Sequence, residues 1–160
     1  MKRWAAVLMG GLVACGGDDD SDGGSSPTPE PLISANVSGS AAGNDFVAEY
    51  GVSTVLESGT VSTTIGSGPL GCGDLTSGVP PDGVYVTIQI PEATVGVASE
   101  TFFMFSVVSG SDLSGTGSNA GTVEVTAVSE ETIAMDVDYA DTVDNEAYSV
   151  SGDFEATRCP

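Results

Sequence analysis

Apolar and polar residues alternate through the C-terminal part of this chain, and that period of two constrains its fold more than any other feature. Ile133, Met135, Val137 and Tyr139 share one face of a segment whose other face carries Asp136 and Asp138. Tyr148, Val150, Gly152, Phe154 and Ala156 alternate in the same way with Ser149, Ser151, Asp153, Glu155 and Thr157. Such a pattern sets one face of an extended chain against a core and leaves the other in water, as in antiparallel sheet.

The same texture runs back towards the N-terminus. Val123, Val125 and Ala127 alternate with Thr122, Glu124 and Thr126, and Ser129-Glu130-Glu131 supplies a turn. Val84, Val86, Ile88 and Ile90 form the clearest apolar face, with Tyr85, Thr87 and Gln89 opposite. Residues 101–108 are nearly continuous apolar, so they are expected to be buried on both faces or to cover an open end. Residues 32–38 and 45–55 flank a turn-rich 39–44 and read as a hairpin, followed by a Thr/Val-rich run at 59–65. Residues 66–83, with Pro80-Pro81-Asp82-Gly83, and residues 110–121 read as long loops. No segment sustains a helical period. The expectation is an all-β domain, an antiparallel β-sandwich or barrel of about eight to ten strands, with the choice between them open.

The N-terminus has a different character. Lys2 and Arg3 precede an apolar run from Trp4 to Ala14, about half the ~20 residues a membrane-spanning helix needs. The run ends Leu12-Val13-Ala14-Cys15. This segment resembles the lipobox of bacterial lipoprotein precursors. The resemblance implies a signal peptide at 1–14, a diacylglycerol on the Cys15 thiol, cleavage before Cys15 and acylation of the new amine. Each buried CH₂ contributes about 0.8 kcal/mol, so two or more chains hold a protein on a membrane where one does not. Gly16, where relatives kept in the inner membrane carry Asp, favours the outer membrane. The membrane face is left open. Residues 15–31 then form an acylated cysteine and an acidic Gly/Ser/Pro tether, and 32–160 the β domain.

With Cys15 acylated, Cys72 and Cys159 remain in an oxidising compartment. A disulfide between them would enclose about half the chain and stabilise the fold by roughly 4–5 kcal/mol on the chain-entropy model. Free thiols and intermolecular pairing are the alternatives. Residues 32–160 also resemble, loosely, the β-rich regions of uncharacterised bacterial lipoproteins that pair a mid-chain cysteine with a C-terminal one. Here Gly152-Asp153-Phe154-Glu155-Ala156 precedes Cys159. That likeness implies no particular activity.

Charge excludes whole classes of partner. The 160 residues carry 23 acids against 3 bases, and removal of Lys2 and Arg3 leaves Arg158 as the single base, a net −22. Such a surface repels nucleic acid and anionic head groups and attracts cations. The expected partners are the membrane, through the N-terminal lipid, and a protein or glycan.

Catalytic motifs are scarce. The chain lacks histidine, which removes Ser-His-Asp triads, Cys-His pairs and His-ligated zinc. Gly66-Ser67-Gly68-Pro69-Leu70-Gly71 matches G-x-G-x-x-G by letter, but neither a helix nor a βαβ unit follows. Enzyme chemistry would rest on paired carboxylates, for which Asp136, Asp138, Asp141, Asp144 and Glu146 are the candidates, but clusters arise without purpose in a chain this acidic, so the expectation is a non-enzymatic domain. Asp18, Asp20, Asp22 and Gly23 open like a calcium loop, but Pro29 stands where the bidentate Glu belongs. Asp136, Asp138, Asp141 and Asp144, with Asn145 and Glu146, form the better candidate for Ca²⁺, set against a charged edge that discourages strand-to-strand aggregation. The alternative function is therefore a calcium-dependent or carbohydrate-binding adhesion module. Stacking aromatics are few once Trp4 is lost, and Tyr85 alone clearly opposes an apolar strand face.

Overall fold

The computed structural model describes residues 28–74 and 80–160. Leu12, Val13, Ala14, Cys15 and the acidic run of the tether lie outside the described residues. The described chain is almost entirely strand: β1 (Ser34–Ala41), β2 (Asn44–Val47), β3 (Tyr50–Val55), β4 (Val61–Gly66), β5 (Gly83–Ile90), β6 (Gly96–Val97), β7 (Phe102–Ser109), β8 (Asp112–Ser118), β9 (Thr122–Val128), β10 (Thr132–Val143) and β11 (Glu146–Arg158). They form one sheet in the order β6-β9-β10-β11-β3-β4-β5-β7-β8, with β1 pairing β11 and β2 pairing β1. The expected all-β class and antiparallel hairpins are present, and one pairing differs. The end of β11 runs parallel to β3, through Thr157↔Val52 and Arg158↔Ser53.

That parallel contact arises because the sheet curls over and β11 serves both halves. Residues Ser149 to Glu155 pair with β1, and two residues further on the same edge meets β3. The segment expected as one strand, 45–55, is divided in the same way. Ala48 N–H donates to Val37 C=O (3.1 Å), whereas the next residue, Glu49, donates to Gly66 C=O (2.9 Å). Changing partner between neighbouring residues turns the chain from one half of the sheet to the other.

The inner faces meet in one core. Val123, Val125, Ile133, Met135, Val137 and Val150 come from one half, and Val61, Ile65, Val86, Ile88, Phe103 and Phe105 from the other, all at most 1% exposed. Phe103 and Phe105 of β7 lie 5.0 and 4.9 Å from the Tyr139 ring of β10, and Phe105 lies 5.6 Å from Tyr148 of β11. Tilted aromatic pairs at these distances tie the halves together beyond simple burial. β7 thus buries the face that carries Phe103 and Phe105, while its other face exposes Met104 and buries only Val108 near its end. The expected loop at 110–121 contains β8, which answers the backbone groups on the free side of β7.

A second, smaller core lies on the outer side. Val52, Leu70, Tyr85 and Val108 pack there with Tyr50, Cys72 and Cys159. Cys72 and Cys159 form a disulfide with Cα atoms 5.5 Å apart. Tyr85, expected to face solvent, is 1% exposed, and its hydroxyl has no hydrogen-bond partner. Burial, then the charges of Asp74 and Asp82, pushes that hydroxyl up to about 12 from its ordinary 10.0. Between those values the folded chain keeps a proton that the unfolded chain gives up. Stability present below pH 10 is therefore lost as pH rises towards 12. Thermal melts across this range should show the decline. Tyr85→Phe should make it shallower, leaving the part due to Tyr148, which burial and Glu146 also shift upward. An unchanged alkaline profile in that variant would remove Tyr85 from the account.

Candidate functional site: a charge-poor groove at one end of the sheet

Four separate segments meet where β5 ends and β7 and β9 begin. Thr60 comes from the β3–β4 turn, Gln89, Ile90 and Pro91 from the end of β5, Ala98 to Thr101 from the connection after β6, and Asn119 and Gly121 from the β8–β9 connection. With Phe102 and Thr122 they line an open groove of about 680 Å³, within the range of small-molecule sites. Two hydrogen bonds hold its sides. Thr101 Oγ1 donates to Gly121 C=O (3.2 Å), and Ala98 N–H donates to Val123 C=O (2.9 Å).

The lining is chemically unusual for this chain. It offers the hydroxyls of Thr60, Ser99, Thr101 and Thr122 and the amides of Gln89 and Asn119, but one carboxylate, Glu100. The surrounding sequence is equally poor in charge, for Asp112 is the single acid in residues 101–123. Hydroxyls and amides both donate and accept, so they match a neutral ligand rich in polar atoms better than an ion of either sign. Phe102, half-buried at the start of β7, adds an aromatic ring.

The carboxylates expected to bind Ca²⁺ are distributed along β10 and its turn. Asp136 and Asp138 lie on the outer face of β10, opposite Asp153 and Ser151 on β11 and Glu124 and Thr122 on β9. Asp141 accepts the neighbouring Thr142 N–H (2.7 Å). Asp144 and Asn145 form the two-residue β10–β11 turn, at φ 53° and 68°. Glu146 accepts the Tyr148 hydroxyl (3.1 Å). Among the described residues no group of three or more His, Cys, Asp or Glu side chains is arranged to hold a metal ion.

The groove was not legible in the sequence, because its walls come from segments up to about sixty positions apart. Depletion of charge over 101–123 is the one linear signal that points to it. Phe102 was hidden within an apolar run, while Tyr85, the expected exposed aromatic, is covered. A scan against models of protein families, a search of curated proteins and a search of solved structures each found no match to this chain.

Proposed function

We propose that this chain is a lipid-anchored cell-envelope protein whose β domain is a non-enzymatic binding module. The anchor rests on Leu12-Val13-Ala14-Cys15 and the basic, apolar leader before it. Cys15 carries the lipid, the outer membrane is the favoured address, and the acidic tether links it to the folded part. Among the described residues no helix is long and apolar enough to cross a membrane.

The groove carries the binding reading. Its lining is made mostly of hydroxyls and amides, with Glu100 as its one charged group, and it offers no base to an anion. That lining, with Phe102 available to stack, favours a carbohydrate over a charged ligand. One carboxylate without a second is not the pair that glycoside hydrolysis uses, which supports binding without turnover.

One experiment with two readouts tests both halves. The full chain, expressed in a Gram-negative host, is expected in the membrane fraction with a lipid-sized mass on Cys15, and Cys15→Ser in the aqueous fraction. Membrane-purified protein, applied to a panel of neutral glycans, is expected to bind a subset. Gln89→Ala with Asn119→Ala should weaken that binding by about tenfold or more, as expected for lost hydrogen bonds. Cys15→Ser remaining on membranes removes the anchor. Binding that survives the double variant moves the site elsewhere, and no binding to any neutral glycan ends the carbohydrate reading.

A further inference from the structure

The curled sheet leaves three strands with one edge unpaired among the described residues. β6 has two residues, β2 four and β8 seven. Short edges are self-limiting, whereas a long one presents a row of free backbone donors and acceptors. β8 reads Asp112-Leu113-Ser114-Gly115-Thr116-Gly117-Ser118 and has neither proline nor lysine. Its pairing with β7 runs without a bulge from Phe103↔Ser118 to Ser109↔Asp112. Among the described residues, Asp112 at its start is the one device on β8 that blunts an edge.

We propose that two copies of this chain associate through β8, pairing antiparallel about Gly115. The β7–β8 hairpin closes on two residues, with Gly110 at φ 61°. In such a hairpin the closing pair, Ser109 and Asp112, is hydrogen-bonded, and bonded pairs recur at every second residue. Asp112, Ser114, Thr116 and Ser118 therefore turn their backbone groups towards β7. Leu113, Gly115 and Gly117 turn theirs outward. Centring two copies on Gly115 sets Gly115 against its own copy and Leu113 against the partner's Gly117. All three outward-facing residues are then used, with no slip in register.

Side chains and charge agree with this register. Leu113 and Met104 are 56% and 40% exposed, and Met104 is the cross-strand neighbour of Gly117. The partner's Leu113 would cross Gly117, where no side chain obstructs it, and approach Met104. Asp112, the single acid of residues 101–123, would face the partner's Ser118. The two Asp112 carboxylates would then sit roughly 20 Å apart along the seam, beyond the ~10 Å screening length of moderate salt. A chain of net charge −20 thus keeps its one long free edge nearly neutral. Its remaining charge opposes approach, so association should strengthen as salt rises. An isologous contact of this kind closes at two copies.

Sedimentation equilibrium of the full chain, over a dilution series in low and in molar salt, tests the proposal. A monomer–dimer equilibrium that shifts towards dimer with concentration and with salt is expected. Leu113→Pro removes one outward N–H, and Leu113→Glu replaces the apolar side chain that would cross the partner's Gly117 towards Met104 with a carboxylate that loses water there. Each should weaken dimerisation by about tenfold or more with the melting temperature retained. Gly115 and Gly117 are poor test positions, since a Cβ there would meet Phe105 O at 2.5 Å and the Phe102 ring at 2.6 Å. If Leu113→Pro does not fold, Leu113→Glu and hydrogen exchange decide. The amides of Leu113, Gly115 and Gly117 should exchange more slowly at high concentration than at low. A monomer at every concentration in molar salt overturns the proposal. So does a dimer unaffected by a folded Leu113 variant, or exchange at these three amides that ignores concentration.

Discussion

Reduction of the Cys72–Cys159 bond, or its removal in a Cys72→Ser/Cys159→Ser variant, is expected to cost about 4–5 kcal/mol of folding stability. The bond joins residues 87 positions apart, so its loss frees a large loop in the unfolded chain. A domain of this size has roughly 5–15 kcal/mol in total, so the loss is about a quarter of its stability or more. Local structure should suffer first at the end of β11. That end is held on β3 by two residue pairs and by Cys159 N–H donating to Ser53 C=O (2.7 Å). On its other side the end is tied by Arg158 N–H donating to Glu131 C=O (2.7 Å), by the Arg158 guanidinium donating to Ser129 C=O, and by the pairing of Thr157 with Thr132. Denaturant melts give the global cost, and hydrogen exchange at residues 157–159 gives the local one. A midpoint that barely moves on reduction would mean that the small core around Val52, Leu70 and Val108 holds the two halves unaided.

Gly152→Ala is expected to destabilise by about 3 kcal/mol or more, from backbone strain and overpacking together. Gly152 sits at φ 126°, a conformation that L side chains rarely adopt, and a Cβ there would collide with the Asn36 carbonyl oxygen on β1. Two positions along the same pair, a Cβ on Gly39 would meet the Ser149 carbonyl oxygen. β1 therefore lies on β11 at a distance that, at Gly39 and Gly152, only glycine permits. Gly43→Ala is the matched control, with φ 75° but nothing within 4 Å of the added carbon. It should cost about 1 kcal/mol. Equal losses in the two variants, measured by chemical denaturation, would show that β1 and β11 separate without penalty.

Both effects concern places where β11 meets something far away in sequence, and this is where the linear pattern stopped being informative. Alternation identified β9, β10 and β11, because each has one dry face and one wet face and a period of two reports that difference directly, and β5, because its second face carries polar atoms although it is largely covered. It missed β8, whose Gly-Ser-Thr residues carry no apolar face and extend only because β7 offers backbone partners. It also ran β2 and β3 together, because the switch of partner at Ala48 and Glu49 changes neighbours without changing the local period. Tyr85 was misplaced for a related reason. A strand's second face is wet only if nothing covers it, and here the loop bearing Cys72 does.

The sequence by itself determined the all-β class, the residues of the main core and the pairing partners available to the cysteines, since periodicity and composition are properties of the chain. Tertiary structure decided the curl of the sheet, the closure of Cys72 on Cys159, and the gathering of Thr60, Gln89, Glu100, Phe102 and Asn119 into one groove. Those outcomes depend on which distant backbone groups satisfy one another. Hydrogen-bond partners across a sheet are set by register and twist, and neither is written in any single strand.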